Sequence, residues 1–459
     1  MPPVPAFRPS MRHADLGDAF FDPVEPAKFP ASILRHRDQA AAARIGLDTL
    51  DDAEWIAAMA RFEPLPGSFP QPLALRYHGH QFRSYNPDLG DGRGFLYAQM
   101  HDLVDGRLLY LGTKGSGTTP WSRAGDGRLT LKGGVREILA TEMLAAQGVT
   151  TSRSLSLIET GEDLQRGDEP SPTRSAVLVR MSHGHIRIGT FQRVAYLHDD
   201  EALRRLLDYS IQTYHPDAWR EDEAARAVAF LTAVTGRVAV LGAQWMVAGF
   251  VHGVLNTDNI NITGESFDYG PWRWLPTYDP AFTAAYFDHS GLYAYGRQPD
   301  TLLWNLTRLA ECLLPLAEQE ALVAVLHGFA PAFQYAYHAA LLRRLGVARR
   351  GAGQDAAVSV AWWRALADSQ MPFEQAFFDW FGGHASAPYG PAFDGVRAAL
   401  EGCAPAEGAR LNDPYFQGAP CTMLVDDVEA VWAPIAAGDD WSAFEAKIAA
   451  IRAMGAAYS

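Results

Sequence analysis

An α+β fold in two parts is what this 459-residue sequence predicts, strands first and helices after. Three features carry the prediction. Two short aromatic and aliphatic runs flank Asp105-Gly106, one amphipathic helical pattern and another apolar run follow, and beyond Phe191 the periodicity turns helical. The first 75 residues are rich in Pro and Ala, with helices expected over Asp38 to Leu47 and Asp51 to Phe62, and read as an extension that braces what comes next. Phe95 to Met100 and Arg107 to Gly112 read as the strands of a hairpin, since Asp-Gly supplies the positive φ that a tight turn needs. Val135 to Gln147 has apolar residues at helical spacing and is closed by Gly148, and Ala176 to Met181 reads as a strand. Hairpin, helix, strand is the order of a protein-kinase amino lobe, here residues 76–195.

Glu201 to Tyr214 and Ala224 to Gly249 open a helical lobe over residues 196–345, which continues with helices expected at Gln298 to His327 and Phe329 to Leu345. A carboxy-terminal helical extension, 346–459, is expected to begin with an exposed loop at Arg349 to Gly353. It runs through a Gly-, Ala- and Pro-rich tail from Gly382 to Gly418 and ends in a helix over Ser442 to Met454. The expected architecture is therefore a protein-kinase-like two-lobed fold with extensions at both ends.

Hydrophobic residues at 48% and charged residues at 20% exclude global disorder. A formal charge of −14, with no Lys/Arg block, disfavours a nucleic-acid partner, and an anionic ligand would need a focused basic pocket. Cys312, Cys403 and Cys421 show no Cys-x-x-Cys spacing and are too few for a disulfide framework. The segment from Met1 to Asp22 has no continuous apolar core. Phe230 to Val251, which contains Arg237 and Gln244, reads as a buried helix and not a membrane span. The expectation is a cytoplasmic protein with neither nucleic-acid nor membrane partners.

The chemistry concentrates in His252-Gly253-Val254-Leu255-Asn256-Thr257-Asp258-Asn259, followed by Asp268-Tyr269-Gly270. In kinases a His-x-Asp turn supplies the aspartate that orients or deprotonates the acceptor hydroxyl. An asparagine five residues on then joins the Asp of Asp-x-Gly in holding magnesium. Asn259 and Asp268 occupy the metal-ligand positions, but Val254 stands where the aspartate belongs and can neither take a proton nor bind a metal. An Asx-rich turn with no ligand is the bland alternative, and Asp279 reads as a cap.

Lys114 closes a predicted strand and Glu137 lies early on the next helix, the arrangement of a phosphate-contacting lysine held by a carboxylate. A surface lysine and a solvated glutamate would show the same spacing. The absence of a Gly-Lys-Ser/Thr ending excludes a P-loop. Two Gly-Asp-Gly-Arg turns, Gly90-Asp91-Gly92-Arg93 and Gly125-Asp126-Gly127-Arg128, flank the lysine strand and suit close approach to phosphates as well as ordinary turns. Arg180 and Arg187 bracket His183 and His185, and phosphate binding is favoured there over a metal site, which would lack a third ligand.

Together these residues resemble the selenoprotein O family, also called YdiU, the pseudokinases that act as protein adenylyltransferases. The resemblance runs from about Tyr77 to Leu314. It rests on Tyr77-His78-Gly79-His80-Gln81-Phe82, Leu89 to Arg93, Lys114-Gly115-Ser116-Gly117, Thr119-Pro120-Trp121-Ser122-Arg123, Gly125 to Arg128, Arg136-Glu137, His185-Ile186-Arg187, and the Asn259 and Asp268 motifs. It implies nucleotide contacts at Gly90, Gly92, Arg93, Lys114, Asp126, Gly127, Arg180 and Arg187, with Glu137 steadying the lysine. It also implies Asp258 as proton acceptor, and Asn259 and Asp268 as ligands of Mg2+, or Mn2+ in its place. ATP would lie inverted relative to a kinase, with its γ-phosphate toward the lysine and arginines and its α-phosphate toward the acceptor. AMP would then pass to a Ser, Thr or Tyr hydroxyl of another protein or of the enzyme itself, and pyrophosphate would leave. Two positions depart from the family pattern, Arg83 in place of Gly and Thr118 in place of Lys, and the family's redox-active Cys or selenocysteine near the end is absent. The rivals are a small-molecule hydroxyl kinase of the aminoglycoside-phosphotransferase type, against which Val254 argues, and a nucleotide-sensing pseudoenzyme without turnover.

Overall fold

The computed structural model describes residues 6–123, 126–167, 169–385 and 389–459. Gly125 of the second Gly-Asp-Gly-Arg turn, residues 1–5 of the amino-terminal extension and residues 386–388 of the loop-rich tail lie outside the described residues. The fold is mixed, 46% helix and 16% strand, and its strands gather into one large antiparallel sheet. In spatial order the sheet runs Phe21–Pro23, Leu73–Leu75, Leu96–His101, Leu108–Lys114, Thr173–Ser182, Arg153–Leu164, Ile33–Arg37. Pro9–Ser10 is added beside Leu96–His101, and Leu129–Thr130 beside Thr173–Ser182.

Every residue of Leu108–Lys114 is buried, because both faces of the sheet are covered. Leu108 and Tyr110 face a core shared with Val135, Ile138, Leu139 and Met143 of the helix Leu131–Ala146. Leu109 and Leu111 face the other way, against Ile45, Trp55, Met59 and Phe62. The amino-terminal segment therefore does more than brace: it gives strands to both ends of the sheet and covers its back with the helices Gln39–Arg44 and Asp52–Met59. The second of these starts at a capping box in which Asp51 and Glu54 satisfy each other's backbone amides.

The hairpin at Asp105-Gly106, the helix and the later strand form where the sequence predicts them, within a few residues. The longest strand, Arg153–Leu164, is not among the predicted elements. Its apolar residues alternate with Ser and Glu, which read as loop but are buried and paired at long range. Ser156 accepts from the Trp55 indole at 2.9 Å, and Glu159 is held by Arg174 and Arg35 at 2.6 Å.

The second half is helical, with Asp200–Tyr214, Glu223–Ala248, Gln298–Cys312, Gln319–His327 and Phe329–Arg344. Glu223–Ala248 is long and apolar enough to cross a membrane by length and composition, yet its Phe230, Val234, Val238, Leu241 and Trp245 are buried in the core. The helix expected as one piece from Gln298 to His327 is broken after Cys312. Pro315 lacks an amide hydrogen and disfavours helical geometry in the residue before it. The loop expected through Gly353 ends at Gly351, where the helix Ala352–Ser369 begins. Phe373–Asp379 and Val425–Gly438 are further helices of the extension, Asp394–Leu400 is a helix within the stretch expected as loop from Gly382 to Gly418, and the last helix, Ser442–Tyr458, is longer than expected. This carboxy-terminal segment returns to the sheet half: Arg452 pairs with Glu142 at 2.9 Å, and Asp439 with Arg174 at 2.7 Å.

Candidate active site

Between the sheet and the helical half lies a cavity of about 710 Å³. Its wall brings together Gly90, Gly92, Arg93, Lys114, Asp126, Gly127, Arg180, Arg187, Asp258, Asn259 and Asp268, residues up to 178 positions apart in the chain, as well as Val254. Glu137 stands outside that wall, behind Lys114.

Lys114 ends its strand with the ammonium facing two carboxylates. It donates to Glu137, buried on the helix Leu131–Ala146, and lies 2.8 Å from Asp268 Oδ1. Arg180, on the neighbouring strand, reaches the same Oδ1 at 3.1 Å, while Arg187 reaches Oδ2 at 2.9 Å and Asp91 at 3.3 Å. Arg187 is further held between the rings of Tyr77 and Phe267, its guanidinium carbon 4.3 and 4.9 Å from their centres. Asp268 itself adopts φ 65°, a left-handed conformation that Asp tolerates better than most residues. Burial alone would raise its pKa, but Lys114, then Arg180 and Arg187, more than reverse that and hold the carboxyl well below the usual range.

Asp258 sits on a short 3₁₀ turn, Thr257–Asn259, with the opposite electrostatics. Burial pushes its pKa up to about 6 against the partial opposition of Arg187, and its Oδ1 has no hydrogen-bond partner among the described residues. Asn259 donates to the Val254 carbonyl at 2.8 Å, which fixes the amide's orientation. His252 is buried and neutral, its pKa lowered to about 4 by desolvation, and is packed beside Trp245. His183 and His185 make no metal group. His183 Nδ1 lies 2.8 Å from the Leu108 carbonyl, His185 packs over Gly112, and the described residues hold no cluster of three or more His, Cys, Asp or Glu able to bind a metal.

The glycine turns have structural reasons as well as room for a ligand. A Cβ on Gly90 would lie 2.4 Å from the Trp121 ring, and the indole donates to Asp22 at 2.9 Å, tying the amino-terminal segment to the cavity rim. Asp126 pairs with Arg166 at 2.8 Å. Among the described residues Arg180 Nε, Arg187 Nε and Asp258 Oδ1 have no hydrogen-bond partner, so the wall holds more hydrogen-bonding capacity than the protein uses.

The profile of the family described as protein adenylyltransferase SelO matches residues 6–383. The chain belongs to the SelO family. A relative in Gloeobacter violaceus described as protein nucleotidyltransferase YdiU is 45% identical over 96% of this chain and 94% of its own length. Proteins of the same description in Synechocystis and Synechococcus elongatus are 52% and 53% identical, over 72% and 75% of this chain and 69% and 68% of their own. By family and by relatives the chain is a nucleotidyltransferase.

The two departures from the SelO pattern occupy informative positions. Arg83, where the resemblance leads one to expect Gly, adopts φ 63°, a conformation that glycine accepts without strain, and its guanidinium lies 5.5 Å from the Trp304 ring. Thr118 is exposed and outside the cavity wall. Asp91, Trp121, Arg123 and Arg166 also line the cavity without having been assigned a part in it. Asp91 and Trp121 lie inside motifs the sequence displays, whereas Arg166 has no local signal.

Proposed function

We propose that the chain transfers AMP from ATP to a Ser, Thr or Tyr hydroxyl of a protein, its own included, on a protein-kinase-like two-lobed scaffold. The observation that carries the reading is the opposite character of two carboxylates in the wall of one cavity. Three buried cations converge at Asp268, and the same cavity wall holds Asp258, a carboxyl of raised pKa, and Val254, a valine where a kinase has its base. The strand lysine paired to a helix glutamate, followed by Asn259 and Asp268, supports the scaffold assignment.

The clustered cations suit the β- and γ-phosphates, whose charge grows as they leave together, with the α-phosphate then turned toward Asp258. Asp258 accepts the proton of the acceptor hydroxyl, whose oxygen bonds to the α-phosphorus. The bond from that phosphorus to the bridging oxygen breaks, and pyrophosphate departs with the electron pair, its charge met by Lys114, Arg180 and Arg187. Asn259 and the ionised Asp268 are hard oxygen donors that fit Mg2+ or Mn2+, the remaining positions falling to phosphate and water, and the ion would supply neutralising charge. A base whose pKa is near 6 is largely ionised at neutral pH, as proton abstraction requires.

Incubating the protein with ATP and magnesium, then weighing intact protein and measuring released pyrophosphate, tests the reading. A mass increase of one AMP per modified hydroxyl with equal pyrophosphate supports it. A gain of phosphate with released ADP contradicts it.

A further inference from the structure

Asp258 Oδ1 is buried and has no hydrogen-bond partner among the described residues, so the aim of this carboxylate is set by what holds its neighbours. The turn is gripped on three sides. Behind it, the Asp258 carbonyl accepts from Arg187 at 3.0 Å, and Arg187 is the residue that starts the helix Ile188–Tyr196. In front, the hairpin formed by Gly79–Gln81 and Ser84–Asn86 presses against the turn so closely that a Cβ on Gly79 would lie 2.8 Å from Asp258 Oδ1. Between them runs a closed ring of hydrogen bonds. The His80 backbone amide donates to Thr257 Oγ1 at 2.7 Å, the Thr257 hydroxyl donates to Gln192 Oε1 at 2.6 Å, and Gln192 Nε2 meets His80 Nδ1 at 2.7 Å. Because Oε1 already accepts, Nε2 is the donor, and the imidazole carries its proton on Nε2. Asn256, on the other flank, accepts from the Phe82 amide at 3.2 Å and from the Tyr293 hydroxyl at 2.6 Å.

Gln192 is the one side chain that touches both the hairpin and the turn within this ring, and it lies one helical turn beyond Arg187. Gln192 is 5% exposed and does not line the cavity, and Thr257 is fully buried. A buried, satisfied amide at a junction of three elements fixes their relative placement, and loss of either partner leaves the others unpaired.

We propose that Gln192 is a positioning residue: by joining Thr257 to His80 it holds the carboxylate of Asp258 at the distance and angle at which it takes the acceptor's proton. The proposal rests on Asp258 being the proton acceptor. It predicts a loss in turnover without a loss in nucleotide binding, since Lys114, Arg180 and Asp268 lie outside the ring. A misplaced base forfeits part of the roughly 10²–10⁴-fold that such a group contributes.

The test compares Gln192→Met, which keeps size and removes both hydrogen bonds, with Thr257→Val, their double variant and Thr257→Ser. We expect Gln192→Met and Thr257→Val each to lower kcat by about 10- to 100-fold, with the dissociation constant of ATP within about twofold of wild type. The double variant should fall no further than the worse single one, because both cut the same ring. Thr257→Ser, which keeps the hydroxyl, should restore turnover. Unchanged kcat in Gln192→Met, even with a lowered melting temperature, overturns the proposal, as does multiplicative loss in the double variant or a parallel loss of ATP affinity. Asp258→Asn measured alongside separates the two failures. Wild-type transfer in that variant removes the base assignment itself, whereas a dead Asp258→Asn with an unaffected Gln192→Met removes only the positioning role.

Discussion

Asp258 and Asp268 line the same cavity, both are close to Arg187, and they titrate in opposite directions. Burial acts on each. Asp268 meets it with Lys114, Arg180 and Arg187 within 3.1 Å, so its carboxyl is held ionised, while Asp258 receives only a backbone contact from Arg187 and rises to about 6. The difference teaches how one fold can give two carboxylates two characters: the one surrounded by cations stays ionised, and the one left unpaired can exchange a proton.

Removing the anion should give the largest effect. Asp268→Ala leaves three buried cations without their shared carboxylate and, on the proposed mechanism, takes away a metal ligand. Transfer should fall below detection, and stability should drop by roughly 3–5 kcal/mol, the usual cost of breaking a buried ion pair from one side. With the cations released, ATP affinity measured in the absence of magnesium should not weaken, and titration of nucleotide with and without the metal checks the split. Asp258→Asn should instead keep ATP binding and stability while lowering transfer by about 10²–10⁴-fold.

The pH profile sharpens the same contrast. Because the pKa of Asp258 is raised, the base is protonated and idle below about pH 6 and becomes competent as pH rises through that value. Wild-type kcat/KM should therefore fall about tenfold per pH unit on the acid side, and Asp258→Asn should lack this limb. A smaller effect is expected at the lysine. Lys114→Met leaves Glu137, a buried carboxylate whose Oε2 already lacks a partner, without its cation, whereas Glu137→Gln leaves Lys114 still paired to Asp268. The first variant should lose more activity and more stability than the second, by thermal melting and by transfer assay. Equal losses would show that Asp268 does not hold the lysine.

What could be read in the sequence follows from how local each signal is. The hairpin turn, the Lys114 strand, the Glu137 helix and the spacing of Asn259 and Asp268 are written in short segments, and the structure brings Lys114, Asn259 and Asp268 to one cavity with Glu137 behind the lysine. The strand Arg153–Leu164 was hidden because its polar residues are satisfied by Trp55, Arg35 and Arg174, partners no local window contains. The same holds for Arg166 against Asp126, for Asp91 against Arg187, and for the ring that joins Gln192 to Thr257 and His80. The helix Ala352–Ser369 is a different case. Val358, Trp362, Ala365 and Leu366 stand at helical spacing, and the glycines at its start obscured them.

The central claim, that the deep cations hold the leaving phosphates and Asp258 faces the transferred one, is tested most directly by labelling. Protein incubated with ATP labelled separately at the α- and γ-phosphate should retain the α label and release the γ label as pyrophosphate, and Val254→Asp should not change which label is kept. Retention of the γ label on protein would show that the nucleotide lies as in a kinase and would contradict the account.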